Sequence, residues 1–223
     1  MSALRSIAIT VLGPAFLCAG CALLSKGEPL RPRYFDPDVA RIATREHKAA
    51  GSGLPLRLGR IESSSYLREP IAFRNSEQEL GYYDTRRWTE KPEEYLRREL
   101  ARALFEEHGF VRTVSGEVPT LEAELVEFTE FPAQHSVRMR VAILLHDEHA
   151  GLLEQTITVE RAIAAPAGSD DVPAMVRALS DALHEGVERI AQQVGRTLRA
   201  AAPRLATGAG GPCQDSAVSA NGN

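Results

Sequence analysis

Val137, Met139, Val141, Ile143 and Leu145 stand at every second position, with Arg138, Arg140 and Ala142 among the residues between them. A repeat of two is the side-chain period of a β-strand and does not fit a helical face. Ser136–Leu145 therefore reads as a strand with one buried side. His146-Asp-Glu-His-Ala-Gly151 supplies a turn, and Leu152–Ile163 returns antiparallel. A sheet with one apolar face needs a cover. The residues from Val172 to Ala201 provide it, because Met175, Leu179, Leu183, Val187, Ile190, Val194 and Leu198 form a stripe at near-helical spacing. Pro203 is expected to end that helix.

The same strand-then-helix pattern occurs earlier. Leu54, Leu56 and Leu58 alternate toward Ile61, and Ser63–Ser65 with Glu69-Pro70 mark a loop. Ile71–Arg74 and Glu79–Tyr83 read as a hairpin turning at Asn75-Ser76, followed by Trp88 in a polar connection. A helix over Pro92–His108 carries Leu96, Leu100, Ala103 and Leu104 on one face, and Gly109 stops it. Val111–Val114 is a brief strand. Thr120–Phe131 alternates through Leu121, Ala123 and Leu125, then changes phase at Val126 and Phe128, which calls for a bulge. The expected fold is α+β: an antiparallel sheet packed on one side by two helices, in a single domain over residues 54–202. Residues 21–53 read as a tether, part of which can dock on the domain, with Asp36-Pro37-Asp38 placed to cap a short helix to about Lys48. Residues 203–223, rich in Gly, Ala, Ser and Asn, read as a disordered tail.

The start of the chain constrains location. Arg5 is followed by an apolar run, Ile7–Leu17, of signal-peptide length and too short for the roughly 20 residues of a membrane-spanning helix. Ala19-Gly20-Cys21 resembles the bacterial lipobox, in which small residues precede a cysteine that receives a diacylglyceryl group. Cys18 stands where leucine is usual. The resemblance implies a signal peptide over residues 1–20, cleavage after Gly20 and lipidation of Cys21; an ordinary secretory signal cut near Gly20 is the alternative. Ala22, in place of an aspartate, leans toward the outer membrane. With thirty-odd residues of tether, the domain would reach up to about 100 Å from its lipid. Of three cysteines, Cys213 alone would then remain free, so packing and not a disulfide must supply stability. Taking Arg5 from the 26 basic residues leaves 25 against 30 acidic ones, a balance unlike that of nucleic-acid binders.

The domain carries a further resemblance. A strand ending at Ile61 leads into Tyr66-Leu67-Arg68-Glu69-Pro70, then Ile71-Ala-Phe-Arg74, Leu80-Gly-Tyr-Tyr83 and the Arg87-Trp88 pair before a helix. With Arg33-Tyr34-Phe35 and the lipobox, this order resembles the ABC-type transport auxiliary lipoprotein family of the PqiC type. The resemblance implies a non-enzymatic subunit without cofactor at the periplasmic face of the outer membrane. It would work with an MCE-domain periplasmic protein and its permease and ATPase in inter-membrane lipid transport, in some cases as a ring of identical copies. Two other readings stay open: an assembly lipoprotein serving a β-barrel or lipopolysaccharide machine, and a membrane-anchored hydrolase.

Tyr66, Leu67, Arg68 and Trp88 are the candidate partner-binding residues, since loop aromatics beside arginines are enriched at interfaces. Tyr82 and Tyr83 belong to the same group, and Trp88 can equally cap the sheet–helix core. His146 and His149 have a metal-like spacing but sit in a turn where polar residues are expected. No metal site is assigned. Ser63–Ser65 lack any nucleophile motif. Arg138 and Arg140 suggest cross-strand ion pairs with Glu122 and Glu124, or else an anion or headgroup surface.

Overall fold

The structure, a computed structural model, describes residues 30–38, 53–166 and 171–208. Gly20, Cys21, the leader, the body of the expected short helix (39–48) and the tail beyond Gly208 lie outside the described residues. Eight strands form one sheet: β1 (Arg33–Phe35), β2 (Pro55–Ser63), β3 (Pro70–Arg74), β4 (Leu80–Trp88), β5 (Val111–Arg112), β6 (Thr120–Phe131), β7 (Ser136–His146) and β8 (Gly151–Ala162). Helix α1 (Pro92–Ala101) follows β4, and α2 (Val172–Gly208) closes the domain.

The α+β class and the two helices on one side match the sequence; the expected all-antiparallel sheet does not. β3–β4, β6–β7 and β7–β8 pair antiparallel, whereas β2 runs parallel to both β5 and β6, β3 to β6, and β1 to β4. Antiparallel pairs here join neighbours in sequence through short turns. The parallel pairs join distant segments, which local pattern cannot reveal.

β6 organises the sheet. One edge pairs with β7 along its whole length, and the other is shared. β2 lies beside Thr120–Leu125, and β3 lies beside Glu130. Both run the same way, so they sit end to end as one strand interrupted by residues 64–69. The expected bulge is present: the β6–β7 register shifts between Leu125 and Glu127.

The inner face is apolar and closed. Leu121, Leu125, Phe128, Met139, Val141 and Leu145 are all buried beneath the helices. α2 approaches so closely at Gly186 that a β-carbon there would meet the terminal methyl of Met139. Trp88 is the last residue of β4 and not part of a polar connection. It is 1 % exposed, packed against Phe128 and edge-on to Tyr95 at 6.1 Å between ring centres.

Two helix ends differ from expectation. α1 passes into a π-helical segment, Arg102–Glu107, before Gly109. α2 continues through Pro203 to Gly208; a proline removes one hydrogen bond and crowds the carbonyl four residues back, which burdens a helix without compelling it to stop. Part of the expected tether is docked. Arg33–Phe35 pairs with Arg86–Trp88, the Thr89 amide donates to the Phe35 carbonyl at 3.0 Å, and Arg98 of α1 donates to Asp38 at 2.7 Å.

Candidate functional site

Where β2 stops and β3 has not begun, β6 has no strand on that edge, and its bulge turns a carbonyl loose at Val126. The Tyr66 hydroxyl donates to it at 2.6 Å. The loop carrying Tyr66 is fixed by three further bonds: Ser64 amide to Leu125 carbonyl at 3.0 Å, Leu67 amide to Ser64 carbonyl at 2.8 Å, and Tyr82 hydroxyl to Tyr66 carbonyl at 2.8 Å. Burial pushes the Tyr66 phenol above its ordinary value. The interruption in the strand is thus a strapped loop with a half-buried tyrosine at its centre.

The expected partner residues do not share one environment. Leu67 is buried, and the Trp88 ring lies in the core, so neither offers its side chain to a partner in this conformation. Arg68 is exposed and, among the described residues, reaches only the Ser65 carbonyl, at 3.2 Å. Tyr66 is partly buried; Tyr82 is exposed. Tyr83 stacks against Phe73 at 4.7 Å and donates to Glu130 at 2.8 Å. Beside the loop lies an open depression of about 530 Å³ whose rim includes Ser65, Arg68, Pro70, Lys91 and Glu93.

Below the tyrosine sits a group that sequence reading missed. Glu127 points to the outer face of the sheet with its side chain only 5 % exposed. Arg74 donates to its Oε1 at 2.9 Å, while Arg140 and Arg138 stand 3.5 Å and 3.8 Å from Oε2, which accepts no hydrogen bond. The Arg74 guanidinium also lies 5.5 Å from the centre of the Tyr66 ring. The signal in the sequence was the phase change at Val126: a bulge carries Glu127 across from Arg140. That same register corrects the expected ion pairs. Glu122 and Glu124 oppose Leu144 and Ala142, and Arg138 bonds Glu160 and Glu77 instead.

The remaining candidates resolve into local structure. Asp147 Oδ1 accepts the amides of His149 and Ala150 at 2.8 Å, closing the β7–β8 turn, and those bonds hold its carboxyl below the usual range. No cluster of three metal-binding side chains exists among the described residues. Ser63 donates to Glu93 at 2.7 Å and Ser64 to Glu124 at 3.1 Å. On the helix side, burial alone would raise the Glu99 carboxyl, but the nearby His184 ring and the Arg102 guanidinium bonded to it outweigh burial and hold it at about 2. His184 Nδ1 lies 3.3 Å from Arg102 and 3.8 Å from Glu99, so a neutral ring accepts from the guanidinium and a protonated one pairs with the carboxylate.

A strapped loop on an uncovered sheet face suits binding. The model of a family described as the ABC-type transport auxiliary lipoprotein component matches residues 39–191. The chain belongs to this family. It is a family of transport auxiliary components and not of enzymes, and its members are lipoproteins of ABC-type transport. The fold recurs in the crystal structure of protein XCC0632 from Xanthomonas campestris, at 17 % identity and a TM-score of 0.64, covering 77 % of this chain and 99 % of that one. It recurs again in an uncharacterized protein at 15 % identity and a TM-score of 0.57, covering 74 % and 99 %. No curated protein matches the chain. No helix among the described residues is long and apolar enough to cross a membrane.

Proposed function

We propose that this auxiliary component is held at the periplasmic face of the outer membrane by lipid on Cys21 and serves an inter-membrane lipid transport system. Its partners would be an MCE-domain protein with its permease and ATPase, met by protein–protein assembly and not by catalysis. The family match carries this reading; the Ala19-Gly20-Cys21 motif supports the anchor. One acyl chain holds a protein only marginally, whereas two or more hold it firmly.

Docking of β1 shortens the leash. About twelve residues separate Cys21 from Arg33, which at full extension is about 40 Å of chain and not about 100 Å. An anchored domain would therefore work close to its membrane. The loop Tyr66–Arg68 is the contact we assign to the partner, through Tyr66, Arg68 and neighbouring Tyr82; Leu67 and Trp88 would act by shaping the surface from beneath.

Cys21→Ser tests the anchor. The expected result is loss of lipid labelling and of membrane retention, with an unchanged far-ultraviolet dichroism spectrum. Variant protein that still floats with membranes contradicts it. Co-purification of an MCE-domain protein supports the assignment of partner, and a β-barrel in its place overturns it.

A further inference from the structure

The sheet has three terminal strands, and they are finished differently. β1 and β5 are three and two residues long, too short to template a partner strand. β8 is twelve residues long, and among the described residues β7 is its only strand partner. Long open edges are ordinarily guarded by charge, proline or a bulge. In β8 the charges are confined to the ends, at Glu154, Glu160 and Arg161. The middle, Gln155-Thr-Ile-Thr-Val159, is uncharged and rich in β-branched residues, the composition that pairs most readily with another strand.

Alongside this unguarded stretch runs α2. The two enclose a groove of about 390 Å³ between Gln155–Thr158 and the side chains of Arg189, Gln193 and Arg196. Arg189 bonds Glu185 one turn back and places Nη1 3.4 Å from the Thr158 carbonyl. Arg196 is exposed and has neither an ion pair nor a hydrogen bond with any described residue. A guanidinium without an ion pair or hydrogen bond to any described residue therefore stands over a strand edge with no strand partner among the described residues, where Arg189 alone reaches a backbone carbonyl, that of Thr158.

We propose that this edge accepts an extended segment of a partner protein as a ninth strand, with a carboxylate on its helix-facing side received by Arg196 and Arg189. An extended chain is the occupant because only a strand meets a row of backbone donors and acceptors at their own spacing, with alternate side chains left to supply specificity. The groove wall makes it acidic: of its two cations one is committed to Glu185 and the other is free. The proposal uses neither Cys21 nor the Tyr66–Arg68 loop, and it stands or falls independently of the anchoring reading.

The test uses the full chain in detergent and a labelled, end-blocked peptide, Thr-Val-Glu-Val-Glu-Val-Thr, with its lysine analogue and two forms N-methylated on alternate amides, one form for each edge of the peptide. Fluorescence anisotropy gives affinity, and amide hydrogen exchange gives position. The glutamate peptide should bind saturably and slow exchange in residues 155–158. The lysine analogue should bind at least tenfold more weakly, and one N-methylated form should bind while the other does not. Arg196→Glu should weaken the glutamate peptide at least tenfold and favour the lysine one, with no change in melting temperature. Equal binding of the two charges, equal behaviour of the two methylated forms, protection elsewhere, or no binding at millimolar peptide each overturns the proposal.

Discussion

The two faces of the sheet are built from the same strands and do opposite things. On the inner face, β6 and β7 contribute Leu121, Leu125, Phe128, Met139 and Val141, buried under α1 and α2. On the outer face the same strands present Glu122, Glu124, Glu127, Arg138 and Arg140, with no helix over them among the described residues. Apolar burial is worth about 25 cal/mol per Å² and does not depend on a partner. The charges on that face that remain wet, Glu124 and Arg140 among them, add little stability, and Glu127, enclosed by Arg74, is the exception. The inner face therefore decides whether the domain folds, and the outer face with its edges is free to meet other molecules.

Trp88→Ala should show the largest effect and separates the two roles most sharply. Removing an aromatic ring from this packing should cost about 3–5 kcal/mol, read as a lower urea midpoint at constant slope. A near-neutral result would mean that Trp88 serves a contact and not the core.

Acid titration comes next. Glu99 has a folded value near 2 against an ordinary 4.5, so its contribution is complete above about pH 4.5 and is lost as pH falls through 2. The loss should be on the order of 3 kcal/mol, and it should largely vanish in Glu99→Gln, which is less stable at neutral pH. Equal acid sensitivity in the two proteins would remove Glu99 from the account.

Tyr66→Phe deletes the bond to the Val126 carbonyl and should cost about 1 kcal/mol. Arg140→Ala, on the outer face with its side chain 39 % exposed, should change stability by no more than about 0.5 kcal/mol. If Arg140→Ala destabilises more than Tyr66→Phe, the outer face contributes to folding after all.

The inner face was open to sequence reading because its period is local: β7, β8 and α2 follow directly from alternation and a helical stripe. The bulge in β6 was equally readable from the shift at Val126. What sequence could not show is which strands lie side by side. The parallel pairing of β2 and β3 along one edge of β6 brings residues about sixty positions apart together, and no short-range pattern encodes it. Trp88 was misplaced for a related reason. Its neighbours Arg86, Arg87, Glu90 and Lys91 are charged, and only the pairing of β4 with β1 and its packing on Phe128 explain its burial. The candidate loop was found through its aromatic and basic residues, while Glu127 and Arg74 beneath it were not, because their meeting depends on register.

Amide hydrogen exchange on the chain in its native membranes, compared with the isolated chain in detergent, tests most directly whether the Tyr66–Arg68 loop and the edge of β8 are the working surfaces. The account predicts new protection in residues 63–70 and 155–158, and none on the exposed sides of α1 and α2. Protection confined to the helices, or identical exchange in the two settings, would contradict it.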